Sequence, residues 1–313
     1  QLEVRGWRSQ NIKIPVKNDP LNKEGFIEWT VKPTYMNAAI KVQDLMIIRM
    51  ISDNAWRYPI YFAVTVSPDN RIGLDPYLEM EGLAFRLLSH PGESVNVEKM
   101  EENLMTDISD WSCDYQPGYR FRNLDNPEVY YNPNIIKLLQ NYRSAYMQLA
   151  VSKYFNMRDL QKSALVDSAR LESMRGEVLT VLNRMEEKLP IRTIPMTSRE
   201  LYLQYGRLYG AIGEGERMKT IVDDLMTQPG SSVEDKIGYG WAYVELNEVE
   251  SGRRIFEELY NANPTDPQVV GNVFQAFQQM NLDTEAIAVL EAWLDRNPDD
   301  KNARALLDRM HAD

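Results

Sequence analysis

RELYLQYGRLYGAIGEGERMKTIVDDLMTQPGSS, residues 199–232, is followed by two windows of the same 34-residue length that begin at Val233 and Pro267. The three windows are in phase. Their eighth residues are Gly206, Gly240 and Phe274, and their eleventh are Tyr209, Tyr243 and Phe277. The fifteenth are Gly213, Asn247 and Asn281, residue types that accept the left-handed turn between two helices. Met218, Gly252 and Ala286 share the twentieth place, Val222, Phe256 and Leu290 the twenty-fourth, and Leu225, Leu259 and Trp293 the twenty-seventh. Gly230, Pro264 and Pro298 close the windows, and proline cannot continue a helix. Each window therefore reads as two helices, A and B, that approach closely at small residues, with an aromatic filling the space beside them. Phe274 and Met218 depart from the small-residue rule.

This pattern resembles the tetratricopeptide repeat, whose period is 34 residues. The resemblance implies a solenoid of helix pairs over 199–232, 233–266 and 267–300, plus a C-terminal helix. Upstream, 134–154 and 163–189 carry helical periodicity, with stripes at Leu138, Tyr142, Ala145 and Leu149 and at Leu171, Met174, Val178, Leu182 and Met185. We read 126–198 as an irregular helical pair that caps the array, since a solenoid needs its exposed end covered.

Residues 1–125 differ. NIKIPVK (11–17) and FIEWTVK (26–32) alternate apolar and polar residues, which predicts half-buried strands, and Pro15 predicts an edge. KVQDLMIIRMISD (41–53) reads as a buried helix. PIYFAVTV (59–66), bounded by Pro59 and the turn SPDN, reads as a buried central strand, with a pocket wall as the alternative. A right-handed strand–helix–strand unit over 26–66 follows. Asp75 and Pro76 read as the cap and first residue of a further helix, with Tyr77, Met80, Leu83, Ala84 and Leu87 facing inward. The fold expected is mostly α: a small α/β (α+β) domain, then a tetratricopeptide-like α-solenoid.

Composition narrows the function. The chain has 313 residues, 43% of them hydrophobic, and a net charge of −11, which argues against nucleic acid or anionic lipid as main partner. The single cysteine, Cys113, and two distant histidines, His90 and His311, offer no metal cluster, and Cys113 has no neighbouring base to activate it. No phosphate loop or dinucleotide fingerprint occurs. Glu79 and Glu81 do not form an acid/base pair by their spacing. No catalytic residue, metal site or cofactor is expected. No run approaches the roughly 20 apolar residues of a membrane span. The chain begins at Gln1 with no positively charged, apolar leader, which we read as an excised piece of a longer protein.

Two regions are candidates for binding. In WSCDYQPGYRFRNLDNPEVYY (111–131), the aromatics Trp111, Tyr115, Tyr119, Tyr130 and Tyr131 stand beside Arg120 and Arg122. They suit stacking on sugar rings, or alternatively the gluing of the N-terminal layer to the helices. In the repeats, the ninth positions Arg207, Trp241 and Gln275, with Glu245, Gln278 and Gln279 nearby, fall on helix A faces that line the concave side of a solenoid and suit a protein or peptide.

A second resemblance rests on IIRMISDNAWRYPIYFAVTVSPDNRIGLDPYLEMEGLAFRLL (47–88) and NLDNPEVYYNPNIIKLLQNYRSAYMQLA (123–150). These strings resemble the C-terminal part of a bacterial membrane-protein family carried as a domain of unknown function and similar to protein O-mannosyltransferases. That resemblance implies a multi-pass N-terminal region absent from this chain, which would attach it to the membrane. It also implies a periplasmic location for this part and a non-catalytic accessory role near a glycan or acceptor protein. The alternative is a free-standing scaffold that assembles proteins with no transferase attached.

Overall fold

The computed structural model describes residues 6–108, 114, 116–162 and 167–311. Trp111, Cys113 and Tyr115 lie outside the described residues. The chain divides into two compact units, 1–195 and 196–313.

The first unit opens with strands β1 (Gln10–Pro15) and β2 (Phe26–Val31), paired antiparallel with Ile14 opposite Ile27 and Ile12 opposite Trp29. The alternation read in the sequence is realised: Ile27, Trp29 and Val31 are buried and the residues between them are exposed. The indole of Trp29 donates to the Ile72 carbonyl at 3.0 Å, so its polar atom is satisfied inside the core. Helix α1 (Val42–Asn54) follows, then β3 (Tyr61–Ala63), β4 (Leu78–Met80) and β5 (Ala84–Leu87). The last three form an antiparallel sheet in the order β3-β5-β4.

Four expectations fail here. PIYFAVTV is not a buried central strand. Only 61–63 is extended, it lies at the edge of its sheet, and Tyr61 and Ala63 are exposed around a buried Phe62. Pro59 brings no donor to the start of the run, and the Val66 N–H turns back onto the Ala63 carbonyl at 2.9 Å, which stops the strand. No strand–helix–strand unit spans 26–66, because β2 pairs only with β1 and β3 only with β5, in separate sheets. The stretch 75–87 is not a helix but a tight turn leading into the β4–β5 hairpin. Gly82, at φ +117°, is the pivot, a conformation open only to glycine. Finally, α1 is a helix but not a buried one, for only Asp44 and Ile51 are covered.

Helices α2 (Val97–Met105), α3 (Pro133–Gln161) and α4 (Ser168–Lys188) complete the unit. Asn96, Asn132 and Asp167 cap their N-termini through side-chain oxygens. Of the expected stripes, Ala145 and Leu149 on α3 and Val178, Leu182 and Met185 on α4 are buried, while Leu138 is exposed. Arg143, with no exposed surface, donates to the carbonyls of Leu189, at 2.7 Å, and Ile194. It thereby satisfies groups left unbonded past the end of α4. Lys153 on α3 bridges Glu101 of α2 at 2.6 Å and Glu177 of α4 at 2.8 Å.

The second unit consists of α5 (Arg199–Ala211), α6 (Gly215–Thr227), α7 (Val233–Glu245), α8 (Val249–Ala262), α9 (Pro267–Gln279), α10 (Asp283–Arg296) and α11 (Lys301–Met310). The A helices α5, α7, α9 and α11 start 34 residues apart. Each has a capping residue at its N-terminus, Ser198, Ser232, Asp266 and Asp300, whose side chain accepts from the first turn. Gly213, Asn247 and Asn281 all take positive φ between the helices of a pair. A Cβ on Gly206 would stand 3.1 Å from Ile221, and one on Gly240 2.8 Å from the Phe256 ring, so these glycines set the close A–B approach. The third pair carries Phe274 in the corresponding place, itself buried. Helix α11 stands in phase as a fourth A helix, yet the eighth and eleventh positions of its window are Asp308 and, just past the helix, His311, and only Ala303 of the helix is buried. A polar outer face of this kind suits a terminal cap.

Candidate binding surfaces

Alpha-helix α1 and the run 60–66 enclose a groove of about 650 Å³. Met46, Ile47 and Met50 form one wall; Ile60, Phe62 and Val66 contribute to the other. PIYFAVTV is thus a pocket wall. Polar groups gather at one end, where Gln43, Ser67 and Asn70 line the groove and Lys41 Nζ donates to Asn70 Oδ1 at 3.3 Å. Among the described residues, fourteen large hydrophobic side chains are exposed, and eight of them lie between Tyr35 and Tyr61. That concentration marks an interaction surface rather than scattered exposure. Two pairs of non-glycine residues with positive φ bracket α1, Met36–Asn37 before it and Ala55–Trp56 after it. Such backbone is costly and clusters at functional segments.

The sequence offered PIYFAVTV as a pocket wall only as the alternative reading, and it did not mark α1 as the opposite wall. LMIIRMI is apolar on every helix face, and a helix of that kind is ordinarily covered all round. Its burial depends on neighbours that are distant in sequence, so the exposure of Met46 and Met50 has no local signal.

In the 111–131 region, Tyr119 and Phe121 pack edge-on against Tyr142 of α3, with ring centroids 5.2 and 5.3 Å apart. The Tyr119 hydroxyl accepts from the Leu83 N–H at 3.0 Å, and Tyr131 donates to the Asn123 carbonyl at 2.9 Å. These contacts tie the β4–β5 turn and the loop to α3. Tyr130, 82% exposed, stands clear of them. A smaller pocket of about 240 Å³ is lined by Asp107, Tyr119, Arg120, Phe121, Arg122 and Lys188. Arg184, at 2.6 Å, and Lys188, at 3.1 Å, bond the Asp107 carboxylate and hold it down at about 2. The pocket therefore keeps a fixed negative charge between cations.

On the A helices, Arg207 donates to Glu245 at 3.1 Å and to the Gly238 carbonyl at 3.4 Å. Trp241 is half-buried, edge-on to Phe256 at 5.6 Å, and its Nε1–H donates to Asn272 at 2.8 Å. The ninth residue of one A helix thus reaches the sixth residue of the next. Arg207, Trp241 and Glu245 are engaged in joining successive helices. Gln275, Gln278 and Gln279 are exposed on α9. Among the described residues, no three histidine, cysteine or carboxylate side chains are grouped so as to hold a metal ion. None of the described helices is long and apolar enough to cross a membrane.

Fold and surfaces together define a strand-and-helix unit with an apolar groove, joined in one chain to a repeating array of helix pairs. Residues 7–107 match the family model TMEM260-associated domain 2. The match covers about a third of the chain and contains the whole α1 groove. No curated protein matches the chain.

Proposed function

We propose that this chain is a non-catalytic binding module, the extracytoplasmic accessory part of a membrane glycosyltransferase-like protein, with tetratricopeptide-type repeats as its interaction scaffold. The observation that carries this reading is the order of its parts: a TMEM260-associated domain, then helix pairs whose caps recur every 34 residues. Solenoids of helix pairs present extended faces to proteins and peptides. The exposed amides Gln275, Gln278 and Gln279 are the acceptor- or partner-facing groups, able to bond an extended backbone as donor and acceptor at once.

The test is made on the native gene product, tagged at its C-terminus in its own cell. A product well above 36.3 kDa that stays in the membrane after carbonate washing supports the reading. A soluble product near 36.3 kDa overturns it and leaves a free-standing scaffold. In the membrane-held form, a photo-crosslinking residue at position 278 should capture a protein or peptide, and replacing Gln275 and Gln279 with alanine should abolish the capture.

A further inference from the structure

We propose that the groove between α1 and the run 60–66 binds a medium-length aliphatic chain that ends in a carboxylate, with the carboxylate at the Lys41 end. The inference rests on this groove alone and is independent of the reading of the repeats.

The polar and apolar parts of the lining are segregated. Gln43, Ser67 and Asn70 meet at the N-terminal end of α1, where the Gln43 amide reaches Asn70 Oδ1 at 3.5 Å, and Thr65 stands two residues before Ser67. Along Met46, Ile47 and Met50 on one wall and Ile60 and Phe62 on the other, the lining is apolar; the hydroxyl of Tyr61 is engaged with Glu81 at 3.0 Å. The Ala63 carbonyl already accepts from the Val66 N–H. A peptide laid along these walls would set its backbone amides against apolar side chains, which is costly, whereas methylene groups lose nothing there. Met46 and Met50 are 59% and 61% exposed, so an aliphatic occupant covers apolar surface that otherwise meets water. From Gln43 to Met50 the helix rises about 10 Å, which matches roughly eight carbon–carbon bonds of an extended chain. The volume of about 650 Å³ is that of a small-molecule site.

The polar end selects the head group. The groove lining contains no charged residue. Beside its polar end, Lys41 Nζ donates to Asn70 Oδ1 at 3.3 Å, and an ammonium has two further protons to give. Ser67 Oγ accepts from Asn70 Nδ2 at 3.0 Å, which leaves its own hydrogen to donate. A carboxylate accepts from such a set of donors and is matched in charge to the ammonium. The carboxylate of Asp44 is fully buried and takes the Thr34 hydroxyl, and Asp69, exposed on the neighbouring turn, does not line the groove. Met46 and Met50, flexible and polarisable, adapt to the chain.

The test titrates the intact 313-residue chain, by calorimetry, with straight-chain carboxylates of about six to fourteen carbons, each held below its micellar concentration. Affinity is expected to rise by about two- to fourfold per added methylene while the chain lengthens inside the groove. It should level off at roughly ten carbons, where the chain passes Met50. The alcohol of the same length should bind about fivefold or more weakly than the carboxylate, and K41M should erase that preference. M50E should weaken every chain length by about tenfold or more. Where M50E alters the circular dichroism of the chain, M46Q, at a second exposed position, replaces it. Absence of binding by the ten-carbon carboxylate overturns the proposal. So does an affinity that goes on rising with length past the end of the groove, the mark of partition onto an unbounded apolar surface. Equal affinity for alcohol and carboxylate, or binding untouched by both M50E and M46Q, overturns it as well. A dimer of the unmodified chain in sedimentation that M50E turns into a monomer assigns the groove to a second copy and has the same effect.

Discussion

Trp241 and Asn272 join two successive A helices of the array: the indole N–H of α7 donates to the side-chain oxygen of α9 at 2.8 Å, while the ring stands edge-on to Phe256. The tryptophan that the sequence offers as a ligand-facing group is thereby part of the fabric between repeats. W241A should cost about 2–3 kcal/mol, less than the full value for a buried Trp because the side chain is half-exposed. W241F keeps the ring contact and should cost about 1 kcal/mol, the value of one hydrogen bond. Urea unfolding of the two variants checks this; an unchanged midpoint for W241A would restore the ligand-facing role.

Gly240 and Gly271 sit in neighbouring A helices with opposite surroundings. A Cβ at 240 would press on the Phe256 ring at 2.8 Å, whereas nothing lies within 4 Å of one at 271. G240A should destabilise by about 1–3 kcal/mol through overpacking. G271A should stabilise by about 0.5–1 kcal/mol, because glycine in an exposed helix interior costs backbone entropy. Thermal melts of both should move in opposite directions.

Arg143 is the largest fully buried side chain of the first unit, and its guanidinium serves carbonyls beyond the end of α4. R143L removes the charge and leaves those carbonyls unbonded, at a cost of about 3 kcal/mol. R143K should not restore the loss, since its shorter side chain holds the ammonium short of the Nη2 that donates to both carbonyls and leaves out the Nη1 bond to Gln140. Equilibrium unfolding by denaturant provides the readout, and rescue by lysine would assign the stabilisation to charge alone.

Asp107 contributes a pH-dependent part of the stability. Its hydrogen bonds to Arg184 and then Lys188 lower the carboxyl from 3.8 to about 2 in the folded chain. A carboxyl lowered on folding contributes stability above its unfolded value, and that contribution disappears as pH falls through the folded one. The difference in melting temperature between the unmodified chain and D107N should therefore be largest above pH 4, shrink as pH falls towards 2 and vanish only below it. A difference that persists unchanged to the lowest pH would show that the pairing does not stabilise the fold.

The repeats were legible because their signals are local. Ser198, Ser232, Asp266 and Asp300 cap helices through atoms a few residues away, and Asn247 and Asn281 supply the turns by their own backbone preference. The β1–β2 alternation was legible for the same reason. What could not be read was cover. Met46 and Met50 have the composition of core residues, and among the described residues no element covers them. At 75–87 the apolar spacing fits a helix as well as a hairpin. Gly82 was the available sign of the pivot, and its φ of +117° decides the matter. In the 111–131 region, aromatic content alone could not separate sugar stacking from packing; the Tyr119 and Phe121 contacts with Tyr142 depend on a helix begun at residue 133.

The sparse burial of α11 has a kinetic consequence. In an array held together by contacts between successive helices, few long loops must close, so assembly is fast and proceeds from neighbour to neighbour. Disassembly follows the same line in reverse. With Ala303 as its one buried residue, α11 is the least protected helix of the array. Amide deuteration should run as a gradient, complete first in α11, next in α10 and slowest around α7, so that the array frays from one end like a rope instead of dissolving at once.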